Sequence, residues 1–244
     1  MSEKKPKVVG KCPMCTETAQ FVDSHIVPHA FYKIDKNTKL LGFNENARVK
    51  RFIPKGVYDQ IICSGCESIF GDTDNYAIKT FLHGKFGILG KPMRVVMPNA
   101  DYGRLKLFAM DVVYRAHLSQ RPECSTAKLQ HDQLAILHDL VLQRDPGPES
   151  YFPVQFKYYY DFPALFVRLP KWVIQNRFLE FQINNVVVQM RTTVSGNDFT
   201  INTGHNRPGR GISVSSMKFL GSRAEKLCRR FIMAEENRRI ILVR

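Results

Sequence analysis

Two Cys-x-x-Cys pairs constrain this chain more than any other feature: Cys12 with Cys15, and Cys63 with Cys66. Each pair sets two thiols at the tip of a tight turn, where both can reach one ion. Two such knuckles complete a tetrahedral four-thiolate site, the closed geometry of structural zinc. Four sulfur ligands leave no open position for substrate, so the expected Zn2+ is structural rather than catalytic. Pro13-Met14 and Ser64-Gly65, the residues inside the pairs, are small or turn-forming and suit that geometry. The alternatives are a thioredoxin-like redox pair or four unrelated buried thiols. The matched spacing argues against coincidence, and neither pair lies in a βαβ context. Cys124 and Cys228 read as plain buried or half-buried thiols. Forty-seven residues separate Cys15 from Cys63, so a substantial segment is threaded between the knuckles.

That segment opens with Gln20-Phe-Val-Asp-Ser-His-Ile-Val-Pro, a strand that Pro28 ends. Period-two alternation puts Asp23 and His25 on one side and Ser24 on the other. A second apolar run, Gln60-Ile-Ile, enters the second knuckle, and Glu67 follows Cys66 directly. Residues 67–82 then read as a helix that Gly71 weakens. The order is knuckle, strand with histidine, loop, strand, knuckle, helix with acids.

These residues resemble the HNH, or ββα-metal, endonuclease family. More narrowly, they look like the subgroup with Ser-His-Ile-x-Pro after the first cysteine pair and Cys-x-x-Cys-Glu at the second. The resemblance covers residues 12–76 and extends weakly through 107–154. It implies a phosphodiester hydrolase using one catalytic divalent ion, Mg2+ or Mn2+, with His25 as general base. Glu67 falls where the family commonly has a metal-binding histidine. Ser24 stands where many members carry an Asp or His ligand, so Asp23 or a bound water would substitute there, and Asp72 or Asp74 would replace the second helical ligand. The middle Asn of the family falls near Tyr58 or Asp59, and the next helical ligand position is Gly71. A structural or packing role for His25, and a helix-start role for Glu67, are the plainer readings of those residues. A zinc-stapled nucleic-acid-binding module whose catalytic-metal site is degenerate is the alternative function. Bacterial or phage (antiviral) defence, or mobile-element biology, follows from the family analogy alone.

Charge supports a polyanionic partner. The chain carries 36 Lys and Arg against 22 Asp and Glu, a net +14, and a basic excess of this size favours nucleic acid; the resemblance to the nuclease family implies DNA before RNA. Lys33, Lys36, Lys39, Arg48, Lys50, Arg51 and Lys55 crowd the segment between the knuckles, with Phe31, Tyr32, Phe43 and Phe52 among them. Basic residues interleaved with aromatics suit a phosphate track with stacking contacts; a solvated loop over a few buried rings fits the pattern as well. A protein partner or a homo-oligomer is compatible with the composition. No run approaches the ~20 apolar residues of a membrane span, and Met1 to Lys11 lacks a secretory signal's apolar core. The expected location is the cytoplasm.

The expected class is α+β, in three parts. Residues 1–85 form the zinc-stapled nuclease-like domain and residues 86–145 a helical segment. In the latter, Leu105, Phe108, Ala109, Val112 and Ala116 mark one helix; Leu134, Leu137 and Val141 mark another, with Ser125 as its N-cap. Asp145-Pro-Gly-Pro is the boundary. Residues 146–244 are β-rich, with strands expected at 154–160, 164–169, 178–190 and 199–201, and a terminal helix around Ala224 to Phe231.

Overall fold

The computed structural model describes residues 6–32, 41–42, 51–52, 56–89, 94–159, 167–173, 177–192 and 212–217. Within them the chain is a mixed α+β fold. Strands β1 (Val9–Lys11), β2 (Thr18–His25) and β5 (Tyr58–Cys63) form an antiparallel sheet in the order β1-β2-β5. Between β2 and β5 come a 3-10 turn at His29–Tyr32 and a short ladder of β3 (Leu41–Gly42) with β4 (Arg51–Phe52). Helices α1 (Ser64–Ile69) and α2 (Gly71–His83) follow β5 directly. The single helix expected over 67–82 is therefore two. Phe70 separates them, and its N–H bonds back to Glu67 and Ser68 while Gly71 starts a new turn.

Beyond α2 the chain adds β6 (Gly87–Leu89) and β7 (Arg94–Met97) before reaching α3 (Tyr102–Leu118) and α4 (His131–Gln143). The segment from residue 86, expected to be helical, thus begins with strands. They pair with each other and, through β12 (Ile212–Met217), join β8 (Val154–Tyr159), β11 (Val186–Arg191), β10 (Phe178–Ile183) and β9 (Val167–Val173) in one seven-stranded sheet. The run 178–190 is a hairpin rather than one strand. Asn184, at φ +51°, and Asn185 make its two-residue turn, the residue type that accepts the left-handed region. Ser125 does not cap α4; it follows the 3-10 turn Pro122–Cys124, and Gln130 caps the helix in a reciprocal box with Gln133. The strand expected at 199–201 and the terminal helix with Cys228 lie outside the described residues.

Helix α3 runs through the core, with side chains buried on every face from Leu105 to Ala116. Phe108 touches Phe31 and Phe81 on the knuckle side and Phe181 on the sheet side, at centroid distances of 6.1, 6.0 and 6.2 Å. Each such pair adds about 1 kcal/mol beyond area burial. Phe31 and Tyr32, expected as stacking groups of the basic loop, are instead 1% and 7% exposed. Burial of two large rings outweighs any surface role. One apolar cluster therefore runs from Cys12 to Met190.

A lysine inside this helix gives a measurable signature. Lys106 is buried, with its ammonium on the Pro148 carbonyl at 2.8 Å, and burial pushes its pKa down to about 8. In the unfolded chain it sits near the ordinary lysine value, roughly 10.4. Between those pH values the unfolded state holds the extra proton, so stability contributed at this residue rises with pH. Denaturant titrations at pH 7.5 and pH 10 should show wild type gaining about 2 kcal/mol relative to Lys106→Met across that window. A pH-independent difference would show that the ammonium is solvated.

Candidate metal centre and the strand face beside it

The first knuckle is a turn closing β1 onto β2. Thr16 N–H bonds to Cys12 O and Cys12 N–H to Glu17 O, both at 2.8 Å, and Thr16 takes φ +64°. The second is the junction of β5 with α1, where Cys63 ends the strand and Cys66 lies in the first helical turn. The four sulfurs lie within 4.8 Å of one another. Cys12 Sγ to Cys66 Sγ and Cys15 Sγ to Cys63 Sγ are each 3.8 Å. A tetrahedral ion at Zn–S ~2.3 Å sets its sulfurs ~3.8 Å apart, whereas a disulfide needs ~2.05 Å. The cluster can therefore hold a zinc ion. The four thiols differ: at Cys12 burial raises the pKa, but hydrogen bonds from the Cys63, Cys15 and Met14 backbone bring it down to about 7, whereas burial and the neighbouring sulfurs push Cys66 up.

Ser24 and Glu67 meet beside this centre. The Ser24 hydroxyl donates to Glu67 Oε2 at 2.5 Å, and Ser24 is fully buried. Burial raises the Glu67 pKa, against the Ser24 bond and the positive charge of Arg115. Asp74, on α2, is held from another direction. The Arg115 guanidinium of α3 grips both its oxygens at 2.9 and 2.8 Å. Arg115 is 1% exposed and stacks over Phe70, 4.9 Å from the ring centroid. Burial opposes its charge, but Asp74, Asp111 and Glu67 outweigh that and hold it protonated. A second pair lies alongside: Arg144 binds Asp111 at 2.7 and 2.9 Å, and Thr73 donates to the same carboxylate at 2.5 Å.

These surroundings do not fit the catalytic divalent ion. Such an ion needs several unprotonated oxygens or imidazoles converging at about 2.0–2.6 Å. Among the described residues the four cysteines are the one group of three or more ligands close enough to share a metal. Glu67 is hydrogen-bonded by a serine, Asp74 is neutralised by arginine, and the strong charge facing both is a cation. Sequence reasoning misses Arg115, because a helix buried on all faces shows no polar side by periodicity.

Asp23 and His25 alternate with Ser24 and so occupy the opposite face of β2. Asp23 is exposed and accepts from Gln60 Nε2 at 3.3 Å. The His25 ring lies 5.2 Å from His29 and 5.6 Å from Tyr58, its cross-strand neighbour. Asp59, near the place of the family's middle Asn, is committed to the end of α3: Ser119 Oγ and Gln120 N–H both donate to its Oδ2 at 2.9 Å. Lys33, Arg48, Lys50 and Lys55, expected to contact nucleic acid, lie outside the described residues, as does the side chain of Arg51. No helix among the described residues is long and apolar enough to cross a membrane. Comparison with protein-family models, curated proteins and solved structures finds no match to this chain.

Proposed function

We propose that this chain is a zinc-stapled nucleic-acid-binding protein of the cytoplasm, built on the frame of the ββα-metal nucleases but without their catalytic ion. The observation that carries this reading is the bidentate grip of buried Arg115 on Asp74. It commits Asp74, an expected auxiliary ligand of a catalytic ion, to a buried guanidinium. Charge supports the nucleic-acid partner. The segment between Tyr32 and Gly56 carries seven Lys and Arg against two Asp and Glu, and its two ends flank His25. His29 opens the 3-10 turn on one side, and Val57 O accepts from Ile26 N–H on the other.

The test combines binding and product analysis on zinc-loaded protein with supercoiled plasmid, linear duplex, single-stranded DNA and single-stranded RNA in Mg2+ or Mn2+. Binding is expected to weaken linearly with log salt, as counterion release requires, with every strand recovered uncut. A second reading, a nuclease with His25 as base and Glu67 as metal ligand, is favoured by one fact: Ser24 and Glu67, at two ligand positions of the family, do face each other. It requires plasmid nicking that disappears in His25→Ala while zinc content stays intact. A role in defence or mobile-element biology belongs to that reading.

A further inference from the structure

The four cysteines of the cluster differ in their access to water. Cys12 is 0%, Cys66 4% and Cys63 9% exposed, whereas Cys15 is only half-buried. The residues after Cys15, Thr16 to Thr18, are exposed, and so are Ser64 and Gly65 after Cys63. The sulfur contacts divide along the same line: Cys15 Sγ lies 3.8 Å from Cys63 Sγ, and Cys12 Sγ lies 3.8 Å from Cys66 Sγ. One edge of the sulfur tetrahedron therefore meets solvent, and the opposite edge is sealed in the apolar cluster with Met14 and Phe70. The solvent-reachable thiol has a partner sulfur that small side-chain rotations can bring into bonding distance.

We propose that this centre is also a peroxide-sensitive switch, with Cys15 as the reacting thiolate and Cys63 as the thiolate that resolves it. The switch rests on zinc binding at the four cysteines and is independent of what the basic residues bind. Bound zinc keeps its sulfur ligands in the nucleophilic thiolate form. The Cys15 thiolate attacks one oxygen of hydrogen peroxide. An S–O bond forms, the O–O bond breaks and hydroxide leaves, so Cys15 becomes a sulfenic acid. The Cys63 thiolate then attacks the Cys15 sulfur, forming the S–S bond and expelling a second hydroxide. Two thiolates thus lose two electrons in all, and the peroxide takes them up. Cys12 and Cys66 remain, two ligands where a closed structural site needs four, so the ion is released. The new crosslink still ties the first knuckle to the end of β5, which lets a dithiol and fresh zinc restore the site.

The test treats the full zinc-loaded chain with hydrogen peroxide beside a chromogenic chelator too weak to strip the untreated protein. Zinc should appear in step with the loss of two thiols per chain, and a dithiol with added zinc should reverse both. Alkylation and mass spectrometry should place the disulfide at Cys15 and Cys63, with Cys12, Cys66 and the buried Cys124 left as thiols. Cys15→His keeps a four-ligand zinc set and should release zinc at least about tenfold more slowly, because thiolate access controls the rate. Cys12→His, at the sealed edge, should stay as sensitive as wild type. Disulfide mapping in the wild-type chain decides the pair should either variant fail to fold. Zinc retained through the treatment, a disulfide joining Cys12 to Cys66 or taking Cys124 or Cys228, or full sensitivity in Cys15→His overturns the switch and leaves structural zinc standing. A chain without affinity for zinc overturns the metal centre and the switch together.

Discussion

Stripping the metal is expected to unfold the knuckle half of the molecule and to take most of the remaining cooperative structure with it. Cys12, Met14, Ile62, Cys66 and Phe70 are all at most 4% exposed and belong to the same apolar cluster as Phe108 and Phe181. Loss of the ion therefore loosens residues that the central helix packs against. Structural zinc supplies an apparent ~10–16 kcal/mol in small domains, as much as the whole stability of a typical domain, ~5–15 kcal/mol. Chelation, or Cys66→Ser, should remove the sharp thermal transition rather than shift it by a few degrees. Circular dichroism melts before and after chelation check this, and re-addition of zinc should restore the transition. A chelated sample that keeps the full transition would show that the cysteines merely pack.

The next largest effect is expected at Arg115. Arg115→Met should destabilise the fold by about 3–5 kcal/mol, because it strands the Asp74 carboxylate at a site that is 16% exposed. Asp74→Asn should also be costly, since it leaves a guanidinium at 1% exposure without its counter-charge. The pair Arg115→Met with Asp74→Leu should recover most of the loss, because packed apolar side chains replace a buried ion pair at little net cost. A double-mutant cycle from urea midpoints reads the coupling. Additive losses, or a single-variant cost near zero, would mean that Asp74 is free to serve another partner.

The frame around the metal centre is legible in the sequence because its signals are local. Cysteine spacing, the alternation through Asp23, Ser24 and His25, and the apolar run into Cys63 each report a neighbour within a few residues. Helix α3 is legible for the same reason, through its apolar repeat. What escapes is set by distant partners. Phe31 and Tyr32 look like loop aromatics until Phe81, Phe108 and Gly56 fold against them. Tyr32 lies so close to Gly56 that a Cβ there would sit 2.6 Å from its ring, at φ +74°. Strands β6 and β7 are short, and β7 finds its inner partner β12 far along the chain, so no window around them carries a signal. The hairpin at Asn184 hides inside a continuous β-type run. At the candidate site, motif spacing brings Ser24 and Glu67 into one neighbourhood, and the structure joins them by a hydrogen bond. The cation that pairs with Asp74 and lends positive charge to Glu67 comes from α3, outside the motif, so nothing in the spacing announces it.

Whether a second, catalytic ion binds is tested most directly by a Mn2+ titration of the zinc-loaded chain, followed by electron paramagnetic resonance of the free ion. With Arg115 in place and Asp74 held by it, the signal should grow as it does in buffer, with no Mn2+ bound below millimolar concentration. One Mn2+ bound tightly per chain, and lost in Glu67→Gln at unchanged zinc content, would contradict the binding-module proposal and restore the nuclease.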